Sequence, residues 1–226
     1  MHSTNDSIYQ RSSGPLLQYL VREPKISSNK PPVIFLLHGI GSNEEDLFAL
    51  AEFLPDKFLV VSLRAPFPYG TNQYAWYQMD FTDGKTIINK KQASKSRNIL
   101  LQFINQFQLE HMYDESQVYL GGFSQGAIMA YSLGLTRPDL IKGIAVMSGR
   151  ILEEITSFIA SDEELKSLQV FISHGTSDTV LSVQYAREGL EYLKTRGLNP
   201  TYKEYDEGHT INREMLADLV SWLNSK

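Results

Sequence analysis

Short runs of apolar and β-branched residues recur along the chain and predict eight strands. Val33–Leu37 is apolar at every position, which is typical of a central parallel strand covered on both faces. The first two predicted strands flank the turn-forming residues 12–15 and favour a hairpin. The eight strands are predicted at residues 8–11, 16–22, 33–37, 58–63, 117–120, 143–147, 170–173 and 202–205.

Between these runs, apolar residues recur every three or four positions and predict amphipathic helices. Their apolar positions fall within residues 47–54, 100–107, 128–135, 183–193 and 216–223, and residues 148–168 predict one or two short helices. Residues 64–85, rich in Pro, Gly and aromatic side chains, are predicted to be irregular. Because strands alternate with helices, we predict an α/β fold with a mostly parallel, doubly wound sheet and helices on both faces.

The length of 226 residues suits one α/β unit, and the sequence contains no internal repeat. We therefore predict a single domain that covers residues 1–226.

Charge and composition narrow the classes of partner. The net charge of -5 argues against binding to nucleic acid or to anionic membranes. The chain has no cysteine, which excludes a disulfide framework and a catalytic thiol and fits a reducing compartment.

No signal peptide is evident in the polar N-terminal residues 1–15, and no apolar run is long enough to span a bilayer. We expect a cytoplasmic protein without integral membrane association. Whether it forms a homodimer cannot be decided from these patterns.

The strongest chemical signal lies where the strand at residues 117–120 meets the following helix. The sequence there contains Gly122-Phe-Ser-Gln-Gly126, which matches the Gly-x-Ser-x-Gly pattern of a nucleophile elbow at Ser124. A sharp strand–turn–helix brings other backbone close on both sides of the serine, so glycines are needed there. The helix that follows directs its positive end toward the serine and would stabilise an oxyanion.

Two further turns follow strands farther along the chain. Asp178 comes after the predicted strand at residues 170–173, and His209 comes after the last predicted strand. Strands of a parallel sheet present their carboxyl ends at one edge, where sites form. The order Ser124, Asp178, His209 is the nucleophile–acid–base order of α/β-hydrolases.

Each of the three residues has a defined chemical role. A serine hydroxyl is a poor nucleophile, so His209 must accept the proton of Ser124, and Asp178 would fix the His209 tautomer. The oxyanion hole would use the backbone N–H of Gln125 and one N–H from the loop at residues 38–41.

Other polar residues at strand ends are weaker candidates. His38 is interpreted as a structural anchor of its loop, and His174 as a residue satisfied inside its own turn. Asp206 is close to His209 in sequence, but such adjacency rarely gives triad geometry. No cluster has the spacing of metal ligands, and no dinucleotide or phosphate loop is present, so we expect neither metal nor cofactor.

These motifs together resemble the phospholipase/carboxylesterase family of α/β-hydrolases, which includes the acyl-protein thioesterases. The likeness rests on four blocks that span most of the chain from Val33 onward: residues 37–41, 121–126, 174–178 and 208–211. The resemblance implies Ser124, Asp178 and His209 as the catalytic triad. It also implies an oxyanion hole formed by the backbone N–H groups of Ile40 and Gln125.

The family resemblance also implies a substrate-binding role for two aromatic residues. Trp76 and Tyr77 resemble the aromatic pair that lines the acyl pocket, although packing over a sheet edge is the alternative. Gln78 replaces an acidic residue of the family, and Thr179 replaces a common proline.

Lids in this fold usually follow the strand after the elbow helix, but residues 148–168 leave no room for a separate cap domain.

The leading hypothesis is a cofactor-independent serine carboxylesterase or thioesterase that acts on short-to-medium acyl chains through an acyl-enzyme. Acyl-protein thioesterase or lysophospholipase activity, a serine peptidase and an esterase for sugar esters remain alternatives. A hydrolase-fold protein that binds without turnover is the alternative from another class, and the complete triad argues against it. The expected partner is a small-molecule ester or thioester substrate.

Overall fold

The computed structural model describes residues 9–13, 16–82 and 85–226. The strands in chain order are β1 Tyr9–Ser13, β2 Gln18–Arg22, β3 Val33–Leu37, β4 Leu59–Leu63, β5 Phe67–Gly70, β6 Gln73–Ala75, β7 Met79–Thr82, β8 Lys85–Ile88, β9 Val118–Phe123, β10 Gly143–Met147, β11 Gln169–Gly175 and β12 Thr201–Tyr205. The helices are α1 Glu44–Phe48, α2 Lys90–Glu110, α3 Gln125–Thr136, a 3-10 helix Glu153–Phe158, α4 Asp162–Leu165, α5 Gln184–Thr195 and α6 Arg213–Asn224.

Eight of these strands form one central sheet in the order β1-β2-β4-β3-β9-β10-β11-β12. Within this sheet, the pairs β4–β3, β3–β9, β9–β10, β10–β11 and β11–β12 are parallel, whereas the pairs β1–β2 and β2–β4 are antiparallel. The mostly parallel sheet is therefore confirmed. Strand β3 lies inside it between β4 and β9, and all five of its residues are fully buried. This position accounts for a strand that is apolar without alternation.

Helices cover both faces of the sheet, as predicted. Buried apolar side chains of α2, α3 and α5 form one core cluster with one face of the strands. Side chains of α1 and α6 form a second cluster with the opposite face, together with alternate residues of the same strands. Between β10 and β11, the described residues contain only the 3-10 helix and α4, so no cap domain is inserted there.

The first predicted helix is shorter than its apolar pattern indicates. Helix α1 begins after the cap residue Asn43, whose side chain accepts a hydrogen bond from the Glu45 N–H, and it ends at Phe48. Leu47, Ala51 and Leu54 are nevertheless all buried, because successive turns rather than a continuous helix carry the chain to Pro55. Helical spacing thus identified the buried face but overstated the helix length.

The prediction of an irregular segment at residues 64–85 is wrong. Strands β5 and β6 form one two-stranded hairpin, and β7 and β8 form another. The turn of the first hairpin contains Asn72 with φ 53°, a left-handed conformation that asparagine tolerates better than most residues.

The predicted N-terminal hairpin is confirmed as the antiparallel pair β1–β2, with one correction. Ser12 and Ser13 belong to β1 and pair with Tyr19 and Gln18, so they are not part of the turn. Residues 8, 14 and 15, which the prediction also used, lie outside the described part of the chain.

Candidate active site

Ser124 occupies a strained backbone position between β9 and α3. Its φ of 54° and ψ of -118° are unusual for any residue except glycine. A Cβ added at Gly122 would lie 2.4 Å from the backbone carbon of Gly126, and one at Gly126 would lie 1.9 Å from the carbonyl oxygen of Leu37. The crowding of backbone on both sides of the turn therefore requires glycine at both positions.

Three polar side chains that are far apart in sequence meet beside this turn. His209 Nε2 is 2.8 Å from Ser124 Oγ, and His209 Nδ1 is 2.6 Å from Asp178 Oδ2. An ionised carboxylate can only accept, so Nδ1 carries the ring proton and Nε2 is the acceptor for the serine hydroxyl. Ser124 and Asp178 are each 7% exposed. The structure thus brings the three predicted residues together in one hydrogen-bonded series.

The carboxylate of Asp178 is held by donors on both oxygens. Oδ1 accepts from the backbone N–H groups of Val180 and Leu181, each at 2.8 Å, while Oδ2 faces His209. Burial alone would raise the pKa of Asp178, but the hydrogen bonds from His209, Leu181 and Val180 outweigh it and hold the pKa below its ordinary value. Asp178 is therefore an anion at neutral pH.

The competing carboxylate does not reach the imidazole. Asp206 follows β12 directly and is exposed, whereas Asp178 makes the contact with His209. The other neighbour of the imidazole is Phe123, whose ring centroid is 4.8 Å from that of His209. Sequence reasoning did not assign Phe123 a role, although its place inside the Gly-x-Ser-x-Gly pattern is a signal that could have done so.

The side chain of Gln125 ties the elbow to the segment between β6 and β7. Its Oε1 accepts a hydrogen bond from the Trp76 N–H at 2.7 Å, and its Nε2 donates to the Tyr77 carbonyl at 2.8 Å. Gln125 is buried, and both hydrogen-bonding ends of its amide are thus paired. Sequence reasoning used only the backbone N–H of this residue and missed its side chain.

Trp76 and Tyr77, expected to bind substrate, are both fully buried. The indole of Trp76 donates to the His38 carbonyl at 2.9 Å, and both rings belong to the core cluster beneath α2 and α3. The alternative interpretation, that the two aromatic residues serve packing, describes both side chains in this structure. Their contact with a substrate stays a prediction.

The loop after β3 is anchored through His38. The Ala65 N–H donates to His38 Nε2 at 3.0 Å, so Nδ1 carries the ring proton and donates to the Gly39 carbonyl at 2.6 Å. Burial lowers the pKa of His38, which keeps the ring neutral. A Cβ at Gly39 would lie 3.4 Å from Ser124 Cβ, so the loop runs directly beside the elbow. The assignment of Ile40, the next residue, to the oxyanion hole stays a prediction.

A partly buried ion pair fixes the other side of this loop. Arg64 donates to both carboxylate oxygens of Glu44, at 2.5 and 2.6 Å, and its guanidinium lies 4.4 Å from the ring centroid of Tyr74. Tyr74 in turn accepts from the Gly41 N–H through its carbonyl at 2.9 Å. Helix α1, β4 and the β5–β6 hairpin therefore all hold the loop in place.

One ring nitrogen of His174 is hydrogen-bonded within its own turn, as interpreted from the sequence, whereas the buried Nδ1 has no partner among the described residues. Its Nε2 is 2.7 Å from the Leu181 carbonyl oxygen, and the side chain is fully buried. The same Nε2 lies 3.3 Å from Asp178 Oδ2, so the ring stands next to the acid that contacts His209.

Neither a metal-binding cluster nor a membrane-spanning helix is present in the described part of the chain. Within residues 9–13, 16–82 and 85–226, no group of three or more His, Cys, Asp or Glu side chains is placed to hold a metal ion. Across the same described ranges, no helix combines the length and apolar character needed to cross a membrane.

The parallel sheet and the strained serine turn at its carboxyl edge define an α/β-hydrolase. The family model described as Phospholipase/Carboxylesterase matches residues 20–226. The chain therefore belongs to the phospholipase/carboxylesterase family and is a hydrolase of the carboxylesterase and thioesterase class.

Individual relatives agree with this family. Acyl-protein thioesterase 1 of Kluyveromyces lactis is 26% identical over 219 residues, which cover 88% of this chain and 95% of that protein. Carboxylesterase SOBER1 of Arabidopsis thaliana is 28% identical over 210 residues, covering 85% of this chain and 90% of that protein. The crystal structure of the Bacillus cereus carboxylesterase shares the fold with a TM-score of 0.80 at 23% identity, covering 93% of this chain and 95% of that one.

Proposed function

We propose that the protein hydrolyses carboxylic esters or thioesters of short-to-medium acyl chains through an acyl-enzyme on Ser124. The observation that carries the proposal is the series of two short hydrogen bonds, 2.6 Å from Asp178 to His209 and 2.8 Å from His209 to Ser124. Each hydrogen bond in this series runs in the direction that activation of a serine nucleophile requires. His209 Nδ1–H donates to Asp178, and His209 Nε2 can accept the proton of Ser124.

The proton moves along this series in both halves of the reaction. His209 Nε2 accepts the Ser124 hydroxyl proton as Oγ attacks the carbonyl carbon, and Asp178 stabilises the imidazolium that forms. The same proton then goes to the departing alcohol or thiol, which leaves the acyl group on Ser124. Water, deprotonated by His209, attacks the acyl-enzyme in the second half and releases the acid.

The oxyanion would form at the N-terminus of α3. Gln125 is the first residue of that helix, so its N–H belongs to the end that carries the positive part of the helix dipole. The Ile40 N–H is assigned as the second donor because its loop passes beside Ser124. The side-chain bonds of Gln125 to residues 76 and 77 would keep the first donor in position without reorganisation during the reaction.

Hydrolysis of a chromogenic short-chain ester, p-nitrophenyl butyrate, tests the proposal. Ser124→Ala should lower kcat/KM to the level of the uncatalysed reaction plus residual oxyanion stabilisation, roughly a 10⁵-fold loss or more. The matched control is Ser221→Ala, because Ser221 is exposed on α6. A fluorophosphonate should label the wild type and the control at Ser124 and leave the Ser124→Ala variant unlabelled. Turnover that survives in Ser124→Ala would contradict the proposal.

The K. lactis relative makes thioester cleavage the second candidate at the same site. Parallel series of p-nitrophenyl esters and acyl-thioesters, each from acetate to palmitate, measure the preferred bond and chain length. We expect the highest kcat/KM below the long-chain end of both series, and a preference for palmitate would contradict that range. Peptide anilides should not be cleaved, and their cleavage would favour the peptidase alternative.

Location and domain number form the remaining part of the proposal. A cytoplasmic site of action is supported by a chain without cysteine, whose function cannot depend on disulfide formation. Fractionation of the source cells with an antibody to the protein tests this location. A single domain is supported by the one central sheet, whose eight strands run from β1 near the start of the described chain to β12 near its end. Limited proteolysis that releases a stable fragment would contradict it.

A further inference from the structure

His174 reaches from β11 to the loop that carries Asp178. Its Nε2 lies 2.7 Å from the Leu181 carbonyl oxygen and 3.3 Å from Asp178 Oδ2. A carbonyl oxygen can only accept, so Nε2 carries the ring proton and donates to Leu181. Both His174 and Asp178 have fully buried side chains, so water does not compete for this hydrogen bond.

The Leu181 peptide connects this donor to the carboxylate. Its carbonyl accepts from His174, while its N–H donates to Asp178 Oδ1 at 2.8 Å. With Oδ1 fixed in this way, Oδ2 is the oxygen presented to His209. His174 therefore acts at one end of a continuous series that passes through Leu181, Asp178 and His209 to Ser124.

We propose that His174 is a positioning residue that holds the residue 178–181 loop so that Asp178 Oδ2 points at His209. This inference rests on the proposed function of the triad and goes one step further, to the residue that orients its acid. The donor stands on a strand that pairs with β10 and β12 on its two sides, a rigid base for a loop that has little regular structure of its own.

The alternative is that the imidazole only fills space, and two substitutions separate the two roles. His174→Leu keeps an apolar side chain of similar reach and removes the donor. His174→Gln keeps an N–H that can reach the Leu181 carbonyl. If His174 positions Asp178, His174→Leu should lower kcat by about 10- to 100-fold with KM changed less than about twofold. His174→Gln should recover most of that kcat.

A double-mutant cycle with Asp178→Asn shows whether the effect passes through the carboxylate. In the Asp178→Asn background, His174→Leu should cost less than about threefold in kcat, because the group that it positions has already been replaced. A loss that is the same in both backgrounds would overturn the proposal. Wild-type kcat in a folded His174→Leu variant would also overturn it.

A measurement that needs no turnover keeps this test separate from that of the proposed function. The hydrogen-bonded His209 Nδ1–H should give a low-field proton resonance, assigned by its loss in His209→Gln. That resonance should persist in His174→Gln and disappear or broaden in His174→Leu, even if the wild type hydrolyses no ester. An unchanged resonance in His174→Leu would reject the positioning role while leaving the proposed function intact.

Folding of every variant is checked by circular dichroism and thermal unfolding. If His174→Leu does not fold, His174→Asn replaces it, because its amide is one methylene shorter than that of His174→Gln and cannot reach Leu181. Equal kcat values for the Asn and Gln variants would then overturn the proposal, and a lower kcat for Asn would support it.

Discussion

The side-chain oxygen of Gln125 accepts a hydrogen bond from the backbone N–H of Trp76 at 2.7 Å. The same amide donates to the carbonyl of Tyr77, so one side chain closes two hydrogen bonds with a segment almost fifty positions away in sequence. Because Gln125 also begins α3, the backbone that should stabilise the oxyanion is attached to the core of the protein at this point. The residue next to Ser124 is therefore a structural link as well as the proposed source of an oxyanion donor.

Gln125→Glu tests this link. The carboxylate keeps an acceptor for Trp76 but places a second oxygen against the Tyr77 carbonyl, inside a site where Gln125 is 2% exposed. An unpaired or charged oxygen in such a site should lower the free energy of unfolding by about 2–4 kcal/mol. Urea unfolding followed by circular dichroism measures the change, and kcat on p-nitrophenyl butyrate should fall with it.

The control is Gln102→Glu, the same chemical change on the exposed face of α2. It should alter the free energy of unfolding by no more than about 0.5 kcal/mol. If the two variants had equal free energies of unfolding, the hydrogen bond that the Gln125 amide donates to the Tyr77 carbonyl would contribute nothing to stability.

The glycine on the helix side of the elbow should not accept a methyl group. A Cβ at Gly126 would lie 1.9 Å from the Leu37 carbonyl oxygen, and the backbone of a central strand cannot move away. Gly126→Ala should therefore cost about 3 kcal/mol or more, or prevent folding. Gly208→Ala is the control, because a Cβ there meets no described heavy atom within 4 Å. Its unfolding midpoint in urea should match that of the wild type.

The features that the sequence predicted depend on short-range sterics and on the rule that parallel strands end at one edge. The crowded turn at Ser124 follows from Gly122 and Gly126, and the meeting of Asp178 with His209 follows from their places after β11 and β12. Burial of Trp76 could not be predicted in the same way, because it depends on partners such as His38 that only the folded chain brings near.

The two small hairpins escaped prediction for a related reason. A run rich in proline, glycine and aromatic residues has no clear period, and the pairing of β5 with β6 is further supported by contacts from another part of the chain. Ser42, in the loop after β3, forms a β-bridge with Tyr74 of β6. The proposed role of His174 was equally hidden, because its acceptor, the Leu181 carbonyl, belongs to the backbone and leaves no mark on the sequence.

Replacement of aspartate by asparagine should have very different effects on kcat at Asp178 and at Asp206. Asp178→Asn should keep the size of the side chain but remove the charge that fixes the His209 tautomer, and kcat should fall by about 10³- to 10⁴-fold. Asp206→Asn should leave kcat within about threefold of the wild type, because Asp206 is exposed and Asp178 makes the contact with His209. Steady-state kinetics on p-nitrophenyl butyrate compare the two. The reverse ranking would mean that the acid of the triad is Asp206.

Glu204 should make stability depend on pH in the acid range. Two hydrogen bonds from Arg187, each 2.8 Å long, and one from Tyr202 lower the pKa of Glu204 from its ordinary value of 4.5 to about 2. The folded state therefore binds this proton less readily than the unfolded chain does. The stabilising effect of the ionised Glu204 carboxylate is complete above pH 4.5 and is lost as the pH falls from there toward 2.

Urea midpoints of the wild type and of Glu204→Gln, measured from pH 7 to pH 2.5, check this sign. The wild type should have the higher midpoint at pH 7, and the two midpoints should converge as the pH approaches 2.5. The difference at pH 7 should be small, because the Arg187 side chain is 51% exposed and water screens the pair. Glu188→Gln, on the exposed surface of α5, serves as the control and should show no such convergence. A difference for Glu204→Gln that grows as the pH falls would contradict the lowered pKa, since it would require the folded state to take up the proton first.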